Sequence, residues 1–496
     1  MLALIDNGKA TVQNLVLHPM MEVRSEARTI DPILNLPVHS SVKSICFVSR
    51  KNPDDFCKEY EGNNVDNIDS SSSQSSEDDD EEDDDDDDDD GEIRFRSNIL
   101  LSQKGKDPVC NRNNNSRRRV SLNGRFLASC HSDGEALLWD LNNQKTMTTI
   151  SSPRGGPGMT IRRTDDPSKI LYQTRDPKGI VSLHSIDRCV GAASTSRSNT
   201  NATTTRQYET FSRTFCQAAP CYGNKNLLAL PSIDDSTVIV VDERAGTNNV
   251  AKYNIKGHGM LTSLALCDSA TTNNASGRPV LACGMESGTV TFFDISDGSS
   301  SQSSSEAASF SLGKEPILTL DLVPSGASAV TPNNAIPGPE SNSIPSESIS
   351  NSLLVAAGMA GDAEDISQLS NNEVGRAAIF KTVYCHNNDY TTPIWTFKQR
   401  ARLSTCSVDN DNFHGKPGVS ICRFRPQDGR LLAIGGWDYR IRLFERSKGN
   451  AMAILKGNGG SIADLDWSPD ACTSGLLASA SGNDKSIAIW QCFAKR

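Results

Sequence analysis

Four stretches of this chain repeat one pattern at a fixed spacing, and that repetition limits the fold more than any other feature. They are Leu127–Asp140 (LASCHSDGEALLWD), Leu281–Asp294 (LACGMESGTVTFFD), Leu432–Glu445 (LAIGGWDYRIRLFE) and Leu477–Trp490 (LASASGNDKSIAIW). Each opens with a short apolar run ending in small residues, passes through a turn, and leaves along an alternating strand that reaches an aromatic side chain. The turn residue (Asp133, Ser287, Asp438 or Asp484) precedes the aromatic (Trp139, Phe293, Phe444 or Trp490) by six positions in every copy. Asp or Asn at a tight turn tolerates unusual backbone angles and hydrogen-bonds nearby backbone. Small residues let neighbouring backbones approach, and the aromatic can fill the wedge between two adjacent sheets.

Weaker copies lie between the clear ones: Lys169–Ile186, with a longer turn around Asp176 and Gly179; Asn226–Asp242; and Leu353–Lys381, with an insertion between LLVAAG and RAAIFK. Each copy needs an earlier strand. The candidates are Val42–Val48, Met159–Arg162, Glu209–Cys216, Leu261–Cys267, Ile317–Val323, Val419–Arg425 and Ile462–Ser468, which makes seven units in order. The pattern resembles the WD repeat, a four-stranded propeller blade of roughly 40–45 residues. The fold class expected is therefore all-β: a seven-bladed WD-repeat β-propeller over residues 30–496, after an N-terminal extension, 1–29. The last copy supplies only three inner strands, and Ile30–Leu36 (IDPILNL) is placed to add the missing outer strand and close the ring.

Residues 49–122 interrupt the first blade between its first two strands. They hold Ser70–Ser76, an Asn/Arg-rich stretch Asn111–Arg119, and the run Glu77–Asp90, in which all 14 residues are acidic. Dense like charge and low hydrophobicity forbid a packed core, so a long disordered acidic insertion is expected in the first blade. Residues 190–207, 299–309, 324–352 and 386–414 are rich in Ser, Thr, Asn or Pro and read as further low-complexity loops. The net charge of −11 comes from the acidic run; without it 47 acidic residues face 50 basic ones. No broad basic face emerges, and direct nucleic-acid binding is not expected. None of the 14 cysteines forms a Cys-x-x-Cys pair, and Cys46, Cys283 and Cys422 sit in apolar runs. They read as reduced core residues of an intracellular protein, with no metal or cofactor. Apolar runs are far shorter than the ~20 residues that span a bilayer, so no membrane contact is expected.

Trp437 is the most informative candidate contact, an aromatic inside a turn beside Asp438, where a WD repeat usually carries a small polar residue. The competing reading is an indole lying flat on the neighbouring blade. Arg440 and Arg442 alternate with Ile441 and Leu443, which predicts a shared strand face able to grip carboxylates, or an ordinary solvated face. Trp437–Arg440 spells the Trp-Asp-x-Arg box by which some propellers join a cullin ubiquitin ligase, but the letters fall in a turn and not after the strand. Asp133, Trp139, Phe293, Asp438, Phe444, Asp484 and Trp490 are expected to be structural, and His258 to bond a turn. The acidic run can attract basic proteins or act as a solvated spacer. Ser75 and Ser76, each three residues before an acid, and Ser121, after Arg118-Arg119-Val120, have kinase-site contexts. No Gly-x-Ser-x-Gly elbow, phosphate-binding Gly loop or His/Cys ligand spacing occurs, so no catalytic residue is assigned.

The C-terminal stretches GWDYRIRLF, AMAILKGNGGSIADLDWSPD and LLASASGNDKSIAIW, with PVHSSVKSICF and GEALLWDLNNQKTMTTI in the first blade and RPVLACGMESGTVTFFDIS in the fourth, resemble the ASTRA-associated protein 1 family. Its animal members are called guanine nucleotide-binding protein β-subunit-like protein 1. The resemblance is strongest over residues 417–496 and poor over 190–255. It implies a non-catalytic scaffold of the nucleus and cytoplasm, tied to chromatin, the ASTRA complex and the Tel2-Tti1-Tti2 co-chaperone that matures phosphatidylinositol-3-kinase-related kinases. The alternatives are a cullin-ligase substrate receptor, a G-protein β-like signalling scaffold, for which residues 1–29 lack the heptads of a coiled coil, and an enzyme assembled from several blades.

Overall fold

The computed structural model describes residues 4–6, 9–11, 28–48, 122, 125–151, 156–186, 202–245, 249–268, 279–295, 308–324, 352–360, 373–383, 390–400, 418–426, 428–446, 449, 451–482 and 484–493. They fall in one compact unit, Met1–Phe56 with Val120–Arg496; a second unit, Cys57–Arg119, lies outside the described residues. The acidic run, Ser75 and Ser76 belong to that second unit; Ser121 belongs to the first and also lies outside the described residues.

Seven four-stranded antiparallel blades follow one another. Blade 1 is Val42–Val48, Phe126–His131, Glu135–Asp140 and Lys145–Ser151; blade 2 is Gly158–Arg163, Lys169–Thr174, Ile180–Ser185 and Thr203–Glu209. Blade 3 is Ala219–Tyr222, Leu227–Pro231, Thr237–Asp242 and Asn249–Asn254; blade 4 is Leu261–Asp268, Pro279–Met285, Thr289–Asp294 and Ala308–Ser311. Blade 5 is Ile317–Pro324, Ser352–Met359, Glu373–Val383 and Tyr390–Arg400; blade 6 is Val419–Phe424, Leu431–Gly436, Ile441–Glu445 and Ala451–Leu455. Blade 7 takes three strands from the C-terminal region, Ile462–Trp467, Leu476–Ser481 and Ser486–Gln491, and its fourth, Leu34–Pro37, from the N-terminal region. The first strands of successive blades neighbour one another all the way round, and that of blade 7 lies against that of blade 1. The molecule is a closed seven-bladed β-propeller. Its helical content among the described residues is one turn, Ala471–Ser474, and a 3-10 turn, Glu243–Ala245, and no helix among them is long and apolar enough to cross a membrane.

The core is divided among seven apolar clusters, each shared by two successive blades. A blade is thus covered on both faces, which is why its second strand is apolar without alternation: all six residues of Phe126–His131 are buried. Trp139, Phe293, Phe444 and Trp490 each lie in the cluster between their own blade and the preceding one. Phe293 meets Tyr253 of blade 3 with ring centroids 5.0 Å apart. Cys46, Cys130, Cys216, Cys221, Cys267, Cys283 and Cys422 are free and buried, and Cys492 is free and partly buried.

Closure follows the expected route, but the expected strand Ile30–Leu36 is divided: Leu34–Pro37 pairs with blade 7, and Ile30 pairs with blade 6. Leu36 and Ile487 are opposite each other and buried in the Leu34–Pro37 pairing with blade 7. Just before this, Arg28–Ile30 adds a fifth, parallel strand to blade 6. One N-terminal segment therefore latches two blades and covers two strand edges.

Two strand expectations are corrected. Glu209–Cys216 is not the first strand of blade 3. Glu209 ends blade 2, and Thr210 folds back onto Gly179, donating to its carbonyl through both backbone (3.1 Å) and hydroxyl (2.6 Å); the strand is Ala219–Tyr222. The segments 190–207, 299–309 and 386–414 were expected to be loops throughout, yet they contain part or all of the outer strands of blades 2, 4 and 5. The outer strand lines the rim, so Thr203–Glu209 is largely exposed and its composition is polar. Polarity marks an edge strand as readily as a loop.

Candidate functional site

Inner strands splay apart around a ring axis, so many of their backbone groups need partners other than a neighbouring strand. This chain supplies them with polar side chains on the inner strands. Asp464 accepts hydrogen bonds from the Ile45 backbone N–H (3.0 Å) and the Ser44 hydroxyl, and Asp466, two residues on and on the same strand face, accepts from Phe47 N–H (2.7 Å). Blade 5 does the same for blade 6: Thr319 Oγ1 accepts from Cys422 N–H (3.2 Å) and Asp321 from Phe424 N–H (2.6 Å). Between blades 4 and 5 the Thr262 and Ser263 hydroxyls donate to the Ile317 carbonyl (2.6 and 2.9 Å). Gln173 bridges blades 2 and 3 by accepting from Ala218 N–H (2.7 Å) and donating to the Cys216 carbonyl (3.2 Å). Only blades 3 and 4 come close enough for direct parallel pairing, at Cys221–Leu266 and Tyr222–Cys267.

The axial end of this system is a cavity of about 680 Å³, lined among others by Arg162, Arg163, Asp321, Arg423, Asp466 and Trp467. Its charges neutralise one another. Arg162 Nη1 lies 2.5 Å from Asp464 Oδ2, and its other nitrogen donates to Gln217 Oε1 (2.7 Å). Arg423 lies 3.7 Å from Asp464 Oδ1, and Arg163 4.0 Å from Asp466. Burial pushes the Asp466 carboxyl up, against the pull of Arg163 and the Phe47 N–H. Burial likewise raises Asp321, against Arg423. Arg423 is lowered by burial and by the like charge of Arg162. Cys221, the thiol in the lining, is pushed well up by burial, opposite to what a nucleophile requires. Every one of these charges is spent on holding strands together. Beyond the cavity, Arg125 of blade 1 grips Asp470 of blade 7 with two parallel bonds of 2.6 and 2.5 Å.

None of these residues was singled out from the sequence. The signal was there: Ile161-Arg162-Arg163, Leu320-Asp321-Leu322, Cys422-Arg423-Phe424 and Asp464-Leu465-Asp466 put charge inside otherwise apolar inner strands. A charge on such a strand must be paired, and the axis is where partners from other blades converge.

Because strands alternate in direction, the turns between second and third strands share one face with the loops joining consecutive blades; we call this the upper face. Trp437, Asp438, Tyr439 and Arg440 form such a turn in blade 6. The Trp437 N–H donates to the Gly418 carbonyl (3.0 Å), and the indole covers Gly418 so closely that a Cβ there would lie 2.5 Å from Cε3. Tyr439 adopts φ of 67°. Arg440 does not share the strand with Arg442. The strand begins at Ile441, and the Arg440 carbonyl accepts from Gly436 N–H (3.0 Å) to close the turn. Arg442 is buried and gives both nitrogens to Asp438 (3.1 and 2.6 Å), so it is occupied within the chain and does not offer itself to a partner's carboxylate. Trp437 and Arg440 remain half-exposed at the tip.

The repeat residues make regular contacts. The Trp139 N–H donates to Ser129 Oγ (2.9 Å), which also meets His131 Nε2. Trp490 donates to Ser479 Oγ (2.8 Å), which donates to Asn458 Oδ1 (3.0 Å). Asp133 accepts from Glu135 N–H (3.1 Å), and Asp484 from Ser486 (3.2 Å) and Gly459 (2.6 Å). The His258 carbonyl accepts from Ser287 N–H (3.2 Å).

Residues 449–491 match the family described as WD domain, G-beta repeat. The chain is also 20% identical, over 370 residues, to guanine nucleotide-binding protein subunit beta-like protein 1 of Mus musculus, an alignment covering 74% of this chain and 88% of the relative.

Proposed function

We propose that this chain, a seven-bladed propeller whose residues 449–491 match a WD repeat, is a non-catalytic scaffold whose upper-face turns hold partner proteins together. The observation that carries the reading is the division of labour among its polar residues. Those on the axis are tied to other strands, while the blade 6 turn, locked by Asp438–Arg442, leaves the Trp437 indole half-exposed on a rigid base. A rigid aromatic side chain loses little entropy on binding, and tryptophan and arginine are enriched among the residues that dominate interfaces.

The partners we propose are the Tel2-Tti1-Tti2 co-chaperone components and their kinase clients, within the chromatin-linked ASTRA assembly of nucleus and cytoplasm. The C-terminal motifs support this reading, and so does the mouse relative, whose name is that of the animal branch of the same family. Basic proteins are proposed to meet the acidic run. The test is affinity capture of the tagged intact chain from its own cells, beside chains carrying Trp437→Ala with Arg440→Ala, or lacking residues 70–96. Recovery of the co-chaperone proteins supports the assignment, and their loss in the double variant places the contact on blade 6. Recovery of a cullin adaptor in their place would favour ligase-receptor function, although the Trp-Asp-x-Arg letters lie in a turn whose Asp438 is engaged by Arg442.

A further inference from the structure

Of the large apolar side chains exposed among the described residues, Phe211, Phe215 and Ile233 all lie on the upper face of blades 2 and 3. Phe211 and Phe215 belong to the loop joining these blades, which reads Phe211-Ser212-Arg213-Thr214-Phe215. Its first, third and fifth residues are exposed and its fourth is buried. Phe215 is 68% exposed, more than any other large apolar residue described.

The loop is held firmly. Thr210 bonds Gly179 as above, Phe211 N–H donates to the Lys178 carbonyl (2.7 Å), and Cys216 N–H donates to Thr214 Oγ1 (3.2 Å). Gly179 is required at φ of 57°, since a Cβ would lie 2.7 Å from Thr210 Oγ1. Phe211 is itself left-handed, at φ of 51°. A bulky side chain adopts that conformation at a cost, only where its surroundings impose it, and such residues gather at functional sites. The result is a fixed loop that turns two aromatic rings to solvent.

Charge completes the surface. The Arg175 guanidinium lies over the Phe215 ring at 3.7 Å, which leaves its in-plane N–H donors for another group. Arg213, between the two in sequence, is exposed. Among the described residues neither arginine has a carboxylate within salt-bridge distance. The nearby cation Lys178 is already neutralised by Glu209 at 3.1 Å, and Asp234 of the next turn by Lys252 at 3.6 Å.

We propose that Phe211, Arg213, Phe215 and Arg175 form a docking surface for an acidic peptide segment of a partner protein, one carrying an apolar side chain between carboxylates. The inference rests on the scaffold reading and adds a second binding surface on the same face as Trp437. Two unpaired guanidinium groups among exposed aromatics match a short acidic-apolar segment. They are too few for a phosphate backbone, whose binding needs many cations.

The test is selection of random peptides displayed on phage against the intact purified chain, with the Phe215→Ala chain and an Arg175→Glu, Arg213→Glu chain as counter-targets. Thermal melting checks that each variant is folded, which exposed positions permit. Enriched peptides are expected to carry acidic residues flanking an apolar one. Their affinity, read by fluorescence anisotropy, is expected to fall about tenfold or more in either variant, the range of an anchor residue, to weaken with salt, and to be unchanged by Trp437→Ala. Peptides without acidic residues, peptides indifferent to both variants, or a single-stranded oligonucleotide that binds through the same residues would overturn the proposal. Peptides lost only with Trp437→Ala would overturn it while leaving the scaffold reading intact.

Discussion

Arg162 of blade 2 and Asp464 of blade 7 meet at 2.5 Å past the inner strand of blade 1, which lies between their blades. The same carboxylate holds Ser44 and Ile45 of the blade between them and faces Arg423 of blade 6. One side chain thus joins four blades at the place where the first and last repeats meet. The first strand of blade 1 needs this support, because its own second strand begins only at Phe126, beyond the long insertion.

Replacing Asp464 with Ala leaves Arg162 buried without its partner and the Ile45 N–H without an acceptor. A loss of about 3–5 kcal/mol is expected, the usual cost of breaking a buried pair from one side. Urea denaturation measures it. Asp464→Asn, which keeps an acceptor for Ile45, should lose less, and a native-like urea midpoint for Asp464→Ala would show that the clasp contributes nothing.

Stability should fall with acid in a window set by His184. Burial pushes this imidazole down to about 4 from its ordinary 6.5, so it is neutral in the folded chain. The unfolded chain binds the proton more readily. The contribution is therefore complete above pH 6.5 and is lost as pH falls towards 4. His131, also lowered by burial, adds to the same slope. His184→Gln keeps polar partners for Ser182 and Thr204 and should flatten the pH dependence of the urea midpoint between those limits, without abolishing it.

Trp490 separates packing from hydrogen bonding. Trp490→Ala opens a cavity between blades 6 and 7 and should cost about 3–5 kcal/mol. Trp490→Phe keeps most of the ring but removes the donor to Ser479, and about 1–3 kcal/mol is expected. Thermal and urea unfolding of the two variants should rank them in that order.

Gly418→Ala tests the seat of the blade 6 turn. The added methyl meets the Trp437 indole, which must move. Overpacking of this kind costs about 1–3 kcal/mol, and the indole's fluorescence should shift towards that of a solvated tryptophan. Because the chain has four other tryptophans, the Trp437 emission is read as the difference from Trp437→Phe in each background, and a difference spectrum unchanged by Gly418→Ala would mean that Trp437 does not rest on Gly418.

Repeats spaced six residues from turn to aromatic made the blades legible, because that geometry is local. Asp133 and Trp139 are close in sequence and belong to one hairpin. The latch was legible for a different reason: a final blade with three strands needs a fourth, and Ile30–Leu36 lies just before the first inner strand, although only Leu34–Pro37 pairs there. What stayed hidden is what several blades build together. Asp464 and Arg162 are far apart in the chain, and nothing local to either names the other. Outer strands such as Thr203–Glu209 were hidden by exposure, since a rim strand carries the polar residues of a loop. Arg442 was misread because strand alternation says which face a side chain is on, but not that Asp438 at the turn bends back to claim it.

The proposed link to kinase-maturation machinery stands or falls on binding. The purified intact chain is mixed with a purified Tel2-Tti1-Tti2 assembly, and mass is measured by light scattering during size-exclusion chromatography. One co-eluting species of the summed mass is expected, weakened by Trp437→Ala with Arg440→Ala and indifferent to His184→Gln. Separate elution of the two at micromolar concentrations would show that the chain does not bind the co-chaperone.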